Sequence, residues 1–200
     1  MHRFLWAFII FLFCSSLLFP QTEDDILSDE IKSKPTFHQK VNGFTLSLSP
    51  EEMEYFLDNL SYASEILNRY QIHSLRIESV GEDSFYAEDD DGLKGTFTLL
   101  KKDSGFREFG GNGEIENRVI GLITADVIAA VHYKELTATS ISSNLEFWVR
   151  VNNPFLNFLC RIFRPLLNQV LKNKLDHFII VAQKFADKVR SNEEIIGHSL

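Results

Sequence analysis

Apolar residues near the end of the chain recur every three or four positions, from Phe155, Phe158 and Ile162 through Phe163, Leu167 and Leu171 to Phe178, Phe185 and Val189. That spacing predicts an amphipathic helix with a broad apolar stripe. Asn153 and Pro154 supply a cap residue and a proline at the first helical position. Pro165 falls inside the pattern, which predicts a short lead-in helix, a kink near Arg164 and a main helix running to Arg190.

The pattern upstream has a different period. Phe44, Leu46 and Leu48 alternate with Thr45 and Ser47, giving a short first strand. Ser49-Pro50-Glu51-Glu52 opens a helix, with a serine cap, a proline and two acids at the positive dipole end; the stripe from Met53 to Tyr70 extends it over about 50–70. From Ile72 the alternation returns, and strands are expected at 72–80, 84–87 and 96–101. Residues 106–117 are ambiguous, because Gly110, Gly111 and Gly113 permit a bulge or a sharp bend. A long strand over 119–133 places Val127, Ala129, Val131 and Tyr133 on one face. In the last strand Leu145, Phe147, Val149 and Val151 alternate with Glu146, Trp148 and Arg150. One packed face and one wet face describe an antiparallel sheet, so the class is α+β.

Composition narrows the setting. Two hundred residues with 44% hydrophobic content suit one globular domain with a substantial core. A net charge of −8 without a dense Lys/Arg block excludes the concentrated positive surface that nucleic acid requires. Residues 1–20 read as a bacterial-type signal peptide: a basic lead at Arg3, a continuous apolar run from Phe4 to Phe13, then small residues. The protein is therefore expected to be exported to the periplasm or cell envelope. Lipidation at Cys14 is disfavoured by Phe13 before it, and cleavage beyond Cys14 leaves Cys160 without a disulfide partner. Residues 21–40 read as a polar linker, 41–190 as the domain and 191–200 as a polar tail.

The motifs that commonly carry chemistry fail on spacing. Aligning Gly92 with the glycine of a calcium loop puts Ala87 and Thr98 at positions that need acidic oxygens. The glycine cluster lacks phosphate-loop spacing, the histidines are dispersed, and no nucleophile elbow occurs. No metal and no cofactor are expected, and no catalytic residues are assigned. His73 shares the parity of Leu75 and Ile77 and points inward, as a bonded core histidine or as a polar contact for a ligand. Tyr133 ends an inward row with a hydroxyl that needs a partner.

This order of elements resembles the START-like superfamily, also called SRPBCC or helix-grip. The resemblance covers Val41 to Arg190. It is carried by Ser49-Pro50-Glu51-Glu52 after the first strand, by the alternating Leu145 to Val151 strand, and by Asn153-Pro154 leading into the long helix. It implies a curved antiparallel sheet closed by the C-terminal helix, with an apolar cavity between them for a lipid or other hydrophobic molecule. The expected lining is Phe97, Leu99, Ala129, Val131, Tyr133, Phe147 and Val149 from the sheet, with Phe163, Leu167 and Leu171 from the helix. His73 is added as a polar contact, and Arg161 and Arg164 are expected to meet a polar head entering at the kink. Three readings follow: a non-enzymatic carrier of a hydrophobic ligand with transient membrane contact, an envelope interaction module docking through exposed Trp148 and Ile128, and a cyclase- or hydrolase-type enzyme using His73 or Tyr133.

Overall fold

The computed structural model describes residues 28–90, 92–117 and 121–192. The expected signal segment 1–20 and residues 193–200 of the expected tail lie outside them. Seven strands, β1 (Phe37–Leu46), β2 (Leu75–Ser79), β3 (Ser84–Asp89), β4 (Lys94–Asp103), β5 (Phe106–Asn117), β6 (Gly121–Thr137) and β7 (Ser140–Val151), form one antiparallel sheet. Their spatial order is β1-β7-β6-β5-β4-β3-β2, so β2 to β7 make a meander and β1 adds to its far edge. The described helices are a segment at 28–33 (α1), Pro50–Asp58 (α2), Leu60–Arg69 (α3), Pro154–Ile162 (α4) and Arg164–Arg190 (α5).

Local chemistry sets the boundaries. The Glu52 amide donates to the Ser49 hydroxyl at 3.1 Å and the Ser49 amide to the Glu52 carboxylate at 2.7 Å, a reciprocal box that starts α2. The single helix expected over 50–70 is two, because Asn59 leaves helical geometry at φ −126° and ψ 56°. Asn153 caps α4 by accepting from the Phe155 and Leu156 amides. The chain breaks at Phe163, and Pro165 sits in the first turn of α5, where its missing N–H costs nothing.

Strand β7 alternates buried and half-buried side chains along its whole length. In β1 the alternation slips by one residue between Val41 and Phe44. Gly43 takes φ +70° there, and its amide donates to the Asn144 side chain at 2.8 Å. The bulge keeps Val41 and Phe44 both against the core, so one strand serves two halves of the concave face. The glycine-rich stretch of β5 carries no bulge, and the register shifts only beyond it, between Leu99 and Lys101 of β4. Thr98 faces Gly110 and Phe97 faces Gly111 in unbroken register.

Two expectations about the convex face change. The sheet begins at Phe37, ahead of the expected domain start at Val41, and residues 28–33 lie across the convex face. Ser28 and Lys32 reach Glu108 at 3.0 and 2.6 Å, Glu30 pairs with Arg150 at 2.7 Å, and Ile31 is 1% exposed. Ile128, expected in an exposed docking patch, is likewise 1% exposed. Trp148 is half-buried, stacked by His38 at 5.1 Å and overlaid by the Lys32 ammonium at 5.3 Å. Among the described residues, Ile31, Ser28 and the two ion pairs from Glu30 and Lys32 hold α1 to that face.

Candidate functional site

Two groups of side chains divide the concave face. Towards α4, Val127, Ala129, Phe147 and Val149 pack with Leu156, Cys160 and Leu175 into a buried cluster. Burial in this cluster pushes the Cys160 thiol up to about 12, so it is an inert apolar group at neutral pH. Phe97 belongs to a second cluster with Phe85, Ala87 and Phe109, against which Leu99 packs. Between the second half of α5, helices α2 and α3, and the bulged strand β1 lies a cavity of about 160 Å³.

Fifteen of its sixteen lining side chains are hydrocarbon or thioether. Strand β1 supplies Phe44 and Leu46, and Leu48 follows it. Helices α2 and α3 supply a stripe from Met53 to Leu67. The sheet supplies Val131 and Leu145, and α5 supplies Phe178, Val181, Ala182 and Phe185. Ser143 is the one polar side chain, and its hydroxyl donates to the His132 carbonyl at 3.2 Å. Phe178 lines the cavity and is 49% exposed, so the cavity meets the surface beside it.

A polar network stands next to this space without lining it. Arg107, 1% exposed, donates from Nε and Nη2 to Asp58 at 2.9 and 3.2 Å. Its Nη1 donates to the Asp103 and Phe106 carbonyls and to the Tyr133 hydroxyl at 3.3 Å. That hydroxyl donates to Glu54 at 3.2 Å, and Lys102 reaches Asp58 at 2.7 Å. Burial raises the Asp58 carboxyl, but the hydrogen bonds from Arg107 and Lys102 outweigh it and hold the group below the usual carboxylate range. Burial lowers Arg107, and the Asp58 bond more than restores it. Burial carries Tyr133 to about 12, so at neutral pH it is a donor with its proton already placed. The arrangement ties α2 to the sheet.

Of the residues named from sequence, Val131 lines the cavity. Tyr133 packs in the adjoining cluster. Ala129, Phe147 and Val149 belong to the cluster nearer α4, with Leu167 packed against it, and Phe97 belongs to the other, against which Leu99 packs. Phe163 is 54% exposed, and the side chain of Leu171 lies outside the described residues. Arg161 and Arg164 are exposed. The cavity's α5 wall begins at Phe178, about 20 Å along the helix axis from Arg164 at 1.5 Å per residue. His73 is half-buried before β2, edge-on to His177 at 6.2 Å, and is not among the lining residues. Sequence reading passed over the α2–α3 stripe as a site wall, although its apolar spacing was plain.

No protein-family model and no curated protein matches the sequence. Among solved structures, a conserved protein from Geobacillus kaustophilus superposes with a TM-score of 0.58 at 16% identity, covering 76% of this chain and 97% of that one. A START superfamily protein from Mycobacterium smegmatis gives 0.47 at 9% identity, over 76% and 97% of the two chains. Norcoclaurine synthase from Thalictrum flavum gives 0.45 at 11% identity, over 76% and 88%. Identities this low speak to fold alone. The chain has a START-like, helix-grip fold, and the likeness is distant.

Proposed function

We propose that this protein is an exported, non-enzymatic binding protein that holds a small hydrophobic ligand in the cavity bounded by β1, α2, α3 and the second half of α5. The observation that carries this reading is the lining. A space whose only polar side chain already donates to backbone asks nothing of a ligand but apolar surface. An apolar guest seated there takes hydrocarbon surface of the lining, and its own, out of water.

Volume sets the size of the guest. A cavity of about 150 Å³ takes a single benzene-sized ring, so one ring or a short acyl segment fits without rearrangement. A longer chain exits past Phe178, where the wall is half exposed. Export rests on the apolar run from Phe4 to Phe13 behind Arg3.

The test is displacement of a fluorescent naphthylamine probe by a series of short fatty acids and monocyclic hydrocarbons, with Ala182→Phe as the blocked variant. Saturable binding to the natural chain, lost in the variant with its fold intact by circular dichroism, supports the reading. Probe binding that Ala182→Phe leaves unchanged sinks it. Processing at the signal segment is read separately, from the N-terminal mass of protein recovered from a bacterial periplasm.

A further inference from the structure

Helix α4 is apolar nearly all round, yet only half of it is covered. Leu156 and Cys160 face the core. Phe155, Phe158 and Ile162 fall within about 60° of one another at 100° per residue, on a separate face. They are 66, 60 and 54% exposed, and Phe163 at the junction with α5 is 54% exposed. Exposed Val80, Leu122 and Leu136 are far apart in sequence; these four lie within nine residues. A cluster of bulky apolar side chains held in water marks a contact surface.

Charge indicates what it contacts. The whole chain carries −8, yet from Val151 to Leu175 there are four cations, Arg161, Arg164, Lys172 and Lys174, and no acid. Arg161 and Arg164 are exposed, flanking Ile162 and Phe163, and Lys172 is exposed about 12 Å further along α5. Arg161 is held in place by Asn157, its Nε donating to Oδ1 at 3.1 Å. A protein partner is typically met with charges of both signs at the rim. Aromatic and aliphatic side chains beside cations of one sign match a helix lying in the headgroup region of an anionic bilayer.

We propose that α4 and its junction with α5 form a docking face for an anionic lipid surface, with Phe155, Phe158, Ile162 and Phe163 entering the acyl boundary and Arg161 and Arg164 meeting headgroup phosphates. The face is distinct from the ligand cavity and stands whether or not that cavity is filled.

The run from Phe4 to Phe13 is apolar enough to bind vesicles by itself, so the test reads the site rather than flotation. In the full chain with Cys14→Ser, Phe158→Cys is labelled with an environment-sensitive nitrobenzoxadiazole; Cys160 is buried away from the reagent. Ile162→Cys is a second reporter on the same face, and Glu82→Cys, exposed between β2 and β3, is the reference. Vesicles of phosphatidylcholine with phosphatidylglycerol should shift emission at 158 and 162 to the blue and leave 82 unchanged. Arg161→Glu with Arg164→Glu should weaken that response roughly tenfold or more, as should raised salt. Silence at 158 and 162 while the protein floats with vesicles overturns the proposal. So does an equal response to phosphatidylcholine alone, or a shift that needs protein concentration and no vesicles, which would assign the face to self-association.

Discussion

Arg107 on β5 and Asp58 at the last position of α2 are joined by two parallel hydrogen bonds, of 2.9 and 3.2 Å, across 49 residues of chain. Planar bidentate pairing of this kind fixes orientation as well as distance. It aims α2 at the sheet, and α2 is a wall of the cavity. Arg107→Ala leaves Asp58 and the Tyr133 hydroxyl short of a partner in a mostly buried site and should cost about 3 kcal/mol or more in urea unfolding. Arg107→Lys keeps the charge and loses the fork, so it should recover only part of that. Full recovery by lysine would mean that charge alone matters here.

Acid should undo the same contact. The Asp58 carboxyl is held below its ordinary value near 3.8 in the folded protein. Its contribution is therefore complete above about pH 4 and is lost as pH falls through the lower, folded value. Asp58→Asn should flatten that part of the stability profile while lowering stability at neutral pH. A variant with the natural acid profile would show that other carboxylates govern it, Glu146 beside His38 and Lys40 being the first to examine.

Two alanines four residues apart on α5 should behave oppositely. Ala182 lines the cavity, whereas Ala186 is 0% exposed in the packed cluster beside it. Ala182→Leu should keep or raise the melting temperature and weaken apolar probe binding. Ala186→Leu has no room and should cost about 1–3 kcal/mol. Equal losses from both would show that the cavity is not free space.

Adjacent glycines on β5 offer a second contrast. A Cβ on Gly111 would come within 2.5 Å of the Thr96 carbonyl and 2.9 Å of the Phe97 Cα, both backbone. A Cβ on Gly110 meets the tip of Leu100 at 2.5 Å, a side chain that can rotate. Gly111→Ala should therefore destabilise more than Gly110→Ala in thermal denaturation, because only the former has to separate β4 from β5. The reverse order would count against the unbroken register.

Ile31 is the apolar anchor of α1 on the convex face. Its replacement by alanine should cost about 2–4 kcal/mol and move Trp148 emission to the red as Lys32 and His38 lose their places over the indole. An unchanged spectrum would detach the tryptophan's cover from α1.

Much of the fold could be read from pattern because it is built from repeats of one rule. Leu145 to Val151 alternates without error, and Ser49 to Glu52 is a cap written in four residues. The misses have physical reasons. Glycines at 110, 111 and 113 carry no side chain, so alternation cannot register that β5 continues through them. Arg107 reads as a solvent-facing residue until Asp58 and Tyr133 are brought to it from other elements. Residues 28–33 hold their place with one buried isoleucine, a buried serine and two ion pairs, which no periodicity detects. The cavity is harder still. Inward-facing residues can be listed from parity, but whether Ala129 leaves space or Phe147 closes it depends on where α4 and α5 cross the sheet. A cavity opens where α5 passes Ala182, and no parity rule fixes that crossing.

The strand order also determines when the molecule can be finished. Each of β3 to β7 pairs with the strand made just before it, so the meander can zip as it leaves the ribosome. Strand β1 cannot. Phe37 waits for Val149 and Leu46 for Ile141, partners separated by about a hundred residues of synthesis. Until then the earliest strand made remains an open edge, and the two walls it gives the cavity, Phe44 and Leu46, are missing. The cavity is thus among the last parts of the domain to close, and a chain halted before β7 lacks the walls that β1 and α5 give it.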